Sequence, residues 1–261
     1  MAFVVSTTAV AQDATLKRLT TGVDADVWEA VGRLDIGGKG FCTGALIAPR
    51  LVLTAAHCLF DRDTKKRIDH REVQFLAGWR DGRAGAYRDV RRAVVHPDFV
   101  YDGAVSSDRV RYDLALLELQ RPIRNTRIEP FETAARPRPG DSVGVVSYAM
   151  DRSEAPSLQE VCKVMAQQDG VLVTSCSVDF GSSGAPIFTI SDGVAQIVSV
   201  VSAKAEVEGQ RVSLGTSLGA SLAVLQAELV AGRGTFEPGA THKRVVVGQQ
   251  GEDTGAKFVK P

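Results

Sequence analysis

Residues 27–34, 41–47, 50–54, 73–79, 90–95, 114–119, 142–148, 171–174 and 197–202 form short runs rich in Val, Leu and Ile. Clusters of Gly, Pro and Asp separate them. Many short apolar runs with frequent turn signals predict an all-β sandwich or barrel. Strands do not alternate with long helical patterns, which argues against a doubly wound α/β fold. One long helix is predicted, over residues 217–230. Leu218, Leu222, Leu225 and Leu229 there recur at steps of four, three and four, giving one apolar face. Ala231-Gly232 follows as a stop signal. A Pro-rich stretch at residues 134–140 reads as a linker between two β units, expected at residues 26–131 and 141–231. Residues 233–261 read as a polar tail, mobile or loosely docked. Within it, Lys243-Arg244 before Val245-Val246-Val247 predicts an added edge strand. No internal repeat is visible.

Composition narrows the class. The 261 residues hold 31 basic and 31 acidic side chains, so a nucleic-acid footprint is not expected. A hydrophobic share of 44% excludes an acidic disordered chain. No apolar run approaches the roughly 18 residues of a membrane span. Residues 1–11 are apolar and small, and Ala9-Val10-Ala11 reads as a cleavage site, so they are expected to be the remnant of a secretory signal. The four cysteines, Cys42, Cys58, Cys162 and Cys176, allow three disulfide connectivities. Pairing Cys42 with Cys58 and Cys162 with Cys176 closes the shortest loops, though spacing alone does not choose. Disulfides and export support each other, and a secreted or periplasmic protein is expected. A zinc site is the rival, weakened by the lack of any C-x-x-C. Calcium at Asp61-Arg62-Asp63 would want more acids than that stretch offers.

Three motifs carry the chemistry: Leu53-Thr54-Ala55-Ala56-His57-Cys58, then Asp113-Leu114-Ala115-Leu116-Leu117, then Gly181-Ser182-Ser183-Gly184-Ala185-Pro186. A serine hydroxyl needs an imidazole to take its proton, and a buried carboxylate to orient that imidazole. Backbone N–H groups must then meet the developing oxyanion. In this order the segments resemble those of trypsin-like (chymotrypsin-fold) serine endopeptidases of bacterial type. Phe41-Cys42-Thr43-Gly44 and Val94-Val95-His96-Pro97-Asp98 add to the resemblance, which covers about residues 27–230.

The resemblance implies two six-stranded antiparallel β-barrels with the site between them, His57 and Asp113 on the first and Ser183 on the second. It implies His57 as general base, Asp113 as its orienting partner and Ser183 as nucleophile. The N–H groups of Gly181 and Ser183 would form the oxyanion hole. Cys42–Cys58 would staple the His57 loop, and Cys162–Cys176 would brace the approach to Ser183. Asp102 and Asp108 compete with Asp113 as the acid, but no apolar strand follows either. Ser182 competes with Ser183, and the spacing to Gly184 and Pro186 favours Ser183. His70, His96 and His242 read as structural or surface residues.

The chain departs from the family at Ser182, where an Asp usually pairs with the ammonium freed by zymogen cleavage. No Ile-Val-Gly-Gly-like start appears near Asp26-Val27-Trp28, so activation by that insertion is not expected. Ala185 replaces a second glycine. The resemblance implies that Ser177, six residues before Ser183, lies near the base of the substrate pocket, with Asp179 close by as the competing residue and Ser202 on the far wall. An uncharged, medium-sized apolar side chain is expected at the cleaved residue. No metal or organic cofactor is implied. The expected partners are polypeptide substrates and a protein inhibitor. A trypsin-like fold that has lost catalysis and binds a protein is the alternative.

Overall fold

The computed structural model describes residues 16–19, 26–102, 105–207 and 209–236. The expected signal remnant, the edge strand at residues 245–247 and His242 lie outside these residues. Six strands build the first barrel: β2 (Val31–Ile36), β3 (Gly40–Ala48), β4 (Leu51–Thr54), β5 (Val73–Ala77), β6 (Ala86–Val95) and β7 (Ala115–Leu119). They close antiparallel in the order β2-β3-β4-β7-β6-β5. The second barrel contains β8 (Ser142–Ser147), β9 (Ser157–Gln168), β10 (Val171–Thr174), β11 (Pro186–Ser191), β12 (Val194–Val207) and β13 (Gln210–Ser217). Its order, β8-β9-β10-β13-β12-β11, closes through the β11–β8 pairing. The two barrels wind identically, a repeat of topology with no trace in the sequence. A further short strand, β1 (Lys17–Arg18), pairs with β9 at the rim.

Alternation explains the walls. β10 reads intermediate, buried, intermediate, buried, with Leu172 and Thr174 pointing inward. β4 and β7 are buried almost throughout, because first-barrel core lies on one face and other elements cover the opposite face. Trp28, Phe131 and Phe188 meet where the barrels join, with centroids 4.7 Å apart for Phe131–Phe188 and 5.0 Å for Trp28–Phe188. Edge-to-face pairs of this kind add to simple area burial.

The predicted C-terminal helix is α2 (Gly219–Val230), preceded by a short α1 (Ser107–Tyr112). Leu222, Leu225 and Leu229 of α2 are buried, as the leucine spacing implied. Although α2 follows the second barrel in sequence, it packs on β6 and β7 of the first. Arg92 of β6, paired with Glu118 at 2.6 Å, also donates to the Leu229 carbonyl at 3.1 Å. Such a cation at a helix C-terminus complements the macrodipole. Gly232, at φ +78°, turns the chain out of the helix. The described start of the tail is docked: the Ala93 N–H donates to the Gly234 carbonyl at 2.9 Å. The Phe236 N–H donates to His70 Nδ1 at 3.2 Å.

His70 and His96 are both buried here and hold loops by accepting at Nδ1, His96 from the Asp98 N–H at 3.3 Å. Burial pushes both imidazoles below the ordinary histidine range, against the opposing pull of Asp69 on His70 and of Asp98 and Glu228 on His96. The unfolded chain therefore binds more protons, so the stabilisation is complete above the ordinary histidine value and is lost as pH falls below it. The denaturant midpoint is expected to drop between about pH 7.5 and pH 5, and to drop less in His96→Gln. Identical midpoints at the two pH values would refute this role.

Candidate active site

His57 lies in a short 3₁₀ turn (Ala56–Leu59) at the end of β4, and Cys58 in the same turn bonds to Cys42 of β3. Asp113 caps the C-terminus of α1, immediately before β7. The N-terminus of α1 is set by Ser106, whose hydroxyl accepts from the Arg109 N–H. β4 and β7 pair directly, Thr54 opposite Ala115, so the two residues that leave their ends are brought together.

Asp113 is fully buried and the His57 side chain is 11% exposed. One carboxylate oxygen accepts the His57 backbone N–H at 2.8 Å. The other lies 2.6 Å from His57 Nδ1 and also accepts the Ser202 hydroxyl. A carboxylate can only accept, so the proton of this hydrogen bond sits on Nδ1, the tautomer whose neutral ring has Nε2 as its acceptor. Thr216 of β13 donates to the Val110 carbonyl at 2.6 Å and lies 3.2 Å from that of Asp113. Two hydroxyls of the second barrel thus fix an acid that belongs to the first.

Ser183 sits on the turn before β11, partly buried. Its carbonyl accepts from the Thr43 N–H at 2.8 Å, and the Gly184 N–H donates to Val201 at 2.8 Å. A Cβ on Gly184 would fall 2.1 Å from Thr54 Oγ1 and 2.3 Å from the Thr43 carbonyl. Only glycine lets this turn approach the strand that leads to His57. Among the described residues, no hydrogen bond joins the Ser183 hydroxyl to His57. Catalytic contacts are often long before substrate binds.

The N–H groups of the turn can be assigned one by one. Those of Ser182, Gly184 and Ala185 donate to Asp179, Val201 and Ser182 carbonyls, and Pro186 has none. The N–H groups of Gly181 and Ser183 have no acceptor among the described residues. The Phe180 carbonyl accepts from Met150 at 2.8 Å, which points the Gly181 N–H of that trans peptide the opposite way. Gly181 takes φ +96°, and a Cβ there would strike the Phe41 ring at 2.4 Å.

Of the substrate-pocket candidates, Ser177 is exposed, its N–H bonded to Gln159 Oε1 at 2.7 Å, while the Ser202 hydroxyl is turned to Asp113. Asp179 and Lys204 close an ion pair at 2.9 Å, and Lys204 Nζ lies 4.5 Å from the Phe180 ring centroid. The Lys204 hydrogen bond holds the Asp179 carboxyl below the usual range. Asp102 and Asp108 line a surface cavity with Asp98 and Arg109. The cysteines form Cys42–Cys58 and Cys162–Cys176, with no free thiol among the described residues. The one metal-like cluster there is Cys42, His57 and Cys58, whose two sulfurs are consumed by the disulfide. Asp61 spends an oxygen on the N–H groups of Asp63 and Thr64. Sequence reasoning missed Thr43, Thr216, Ser147 and Gln159, because hydroxyl and amide residues in strands carry no local motif.

A family model described as Trypsin matches residues 21–214, and the chain belongs to that family. Mouse (Mus musculus) Serine protease 23 is 28% identical over 188 residues, covering 60% of this chain and 49% of the relative. The human (Homo sapiens) Serine protease 23 is 29% identical over 163 residues, covering 56% and 42%. The chain thus spans about half the length of the curated relatives it matches. Among solved structures, a Glu endopeptidase in complex with MPD superposes with a TM-score of 0.69 at 18% identity, over 85% of this chain and 100% of that one. At that identity the likeness concerns the fold. Among the described residues, no helix is long and apolar enough to cross a membrane.

Gly184→Ala is expected to lower stability by more than about 1 kcal/mol, because φ +78° and the Thr54 contact both oppose a side chain. Thermal melting of the variant checks this, and an unchanged melting temperature would show that the turn yields at no cost.

Proposed function

We propose that the protein is a serine endopeptidase in which Ser183 attacks the peptide carbonyl, His57 takes and returns the proton, and Asp113 orients the imidazole. The observation that carries this reading is the buried Asp113 carboxylate, bonded at once to His57 Nδ1, the His57 N–H and the Ser202 hydroxyl. A buried carboxylate orients the imidazole and stabilises its cation as the proton moves. The N–H groups of Gly181 and Ser183, unclaimed among the described residues, support their assignment as the oxyanion hole. No cofactor enters this chemistry.

The units at residues 26–131 and 141–231 would each supply one side of the cleft. The uncharged residue at 182 supports the bacterial variant of the family, and the two disulfides support export to a secreted or periplasmic setting. Polypeptides are the proposed substrates, with a protein inhibitor as a further partner. Ser177 offers no charge at the pocket base, and Asp179 is neutralised by Lys204, which supports an uncharged side chain at the cleaved residue. A peptide library is expected to show that preference, and a strict demand for Arg or Glu would overturn it.

A fluorophosphonate probe is expected to label the protein and to lose its target in Ser183→Ala. Asp113→Asn, which leaves the shape intact, is expected to lower kcat by about 10⁴-fold. Failure of the parent to label or to cleave would favour the inactive, protein-binding alternative.

A further inference from the structure

Ser182 is a buried nucleophile-type side chain that the proposed chemistry does not use. It is fully shielded from solvent. Its single proton is shared between Ser147 Oγ at 3.1 Å and the Tyr148 carbonyl at 3.3 Å. Its oxygen accepts the Asp179 N–H at 3.3 Å. Two segments meet at this hydroxyl: the loop before Ser183, through Asp179, and the end of β8, through Ser147 and Tyr148. The same end of β8 leads to Met150, whose N–H holds the Phe180 carbonyl away from the oxyanion side. Tyr148 is in turn fixed by its N–H to Thr43 Oγ1 at 3.1 Å, and that Oγ1 donates to the Gly181 carbonyl at 2.8 Å. Every carbonyl of residues 180–182 is therefore committed, to Met150, Thr43 and Ala185.

A charged lock at this place would need a carboxylate to receive an ammonium. Residue 182 has none, and Asp179, the nearest along the loop, is half exposed and spent on Lys204. An ammonium brought against the Ser182 hydroxyl would be desolvated without a counter-charge, which costs several kcal/mol by order of magnitude. The hydroxyl network is already satisfied by neutral groups, so it needs no such visitor.

We propose that Ser182 is the positioning residue that holds the oxyanion loop in its binding form, so that activity requires no free N-terminal ammonium. This rests on the serine endopeptidase reading of the site. Ser182 acts through Gly181 and Ser183 and does not itself touch substrate.

The test compares the full chain carrying an N-terminal fusion with the same chain after the fusion and the leading residues are trimmed away. Hydrolysis of a peptide amide substrate is expected to have the same kcat/KM in both, within about twofold, normalised to fluorophosphonate-titrated sites. A rise of a hundredfold or more on trimming, with labelling intact, would overturn the lock while leaving the endopeptidase reading in place. Silence of both forms toward substrate and probe would remove both. Ser182→Ala and, by a second route to the same bond, Ser147→Ala are expected to lower kcat by about 10- to 1,000-fold with KM nearly unchanged. A lower melting temperature with kcat of the folded protein unaltered would reduce Ser182 to a packing role and overturn the proposal.

Discussion

The site depends on one residue of β3 that takes no part in chemistry. Thr43 is fully buried, and its backbone and hydroxyl together make four hydrogen bonds. Its carbonyl receives Thr54, at the end of the strand that leads to His57. Its N–H holds Ser183, and its hydroxyl bridges Gly181 and Tyr148. The neighbouring Cys42 adds a covalent tie to Cys58. Buried polar groups are costly unless satisfied, so a knot in which each partner satisfies another tolerates little displacement. Glycine at 184 is the corollary: the two barrels approach so closely there that a methyl group has no room.

The rest of the site follows the same design. Ser202 and Thr216, on adjacent strands of the second barrel, hold the acid and the end of α1. The first barrel supplies the acid and the second supplies the donors that fix it. Neither barrel alone could set the position of His57 relative to Ser183.

Local motifs made the His57, Asp113 and Ser183 segments legible because each carries its polar side chain among adjacent small or apolar residues. The runs that became β3, β4, β7 and β8 were legible because burial on both faces leaves continuous apolar sequence. β9 was missed: its exposed positions, such as Glu160, Val161 and Lys163, break any clean alternation. β13 was missed because Gly215 and its small polar neighbours look like a turn, when the glycine admits the Ser199 hydroxyl at close range. Residues 27–30 read as strand but hold a 3₁₀ turn at Asp26–Trp28, since Trp28 is drawn into the aromatic junction. The hydroxyl contacts are long-range, 138 residues for Thr43 to Gly181, and spacing along the chain cannot announce them.

The docking of α2 on the first barrel bears on how the molecule is made. Leu222, Leu225 and Leu229 cover apolar surface whose own strands end at Leu119. A ribosome must therefore add more than a hundred further residues before that surface meets its cover. The nascent first barrel spends this interval with an apolar flank open to chaperones and to other chains. Completion of the helix then closes both the flank and the chain around the junction, so the last-made segment sets when the earliest barrel is finished.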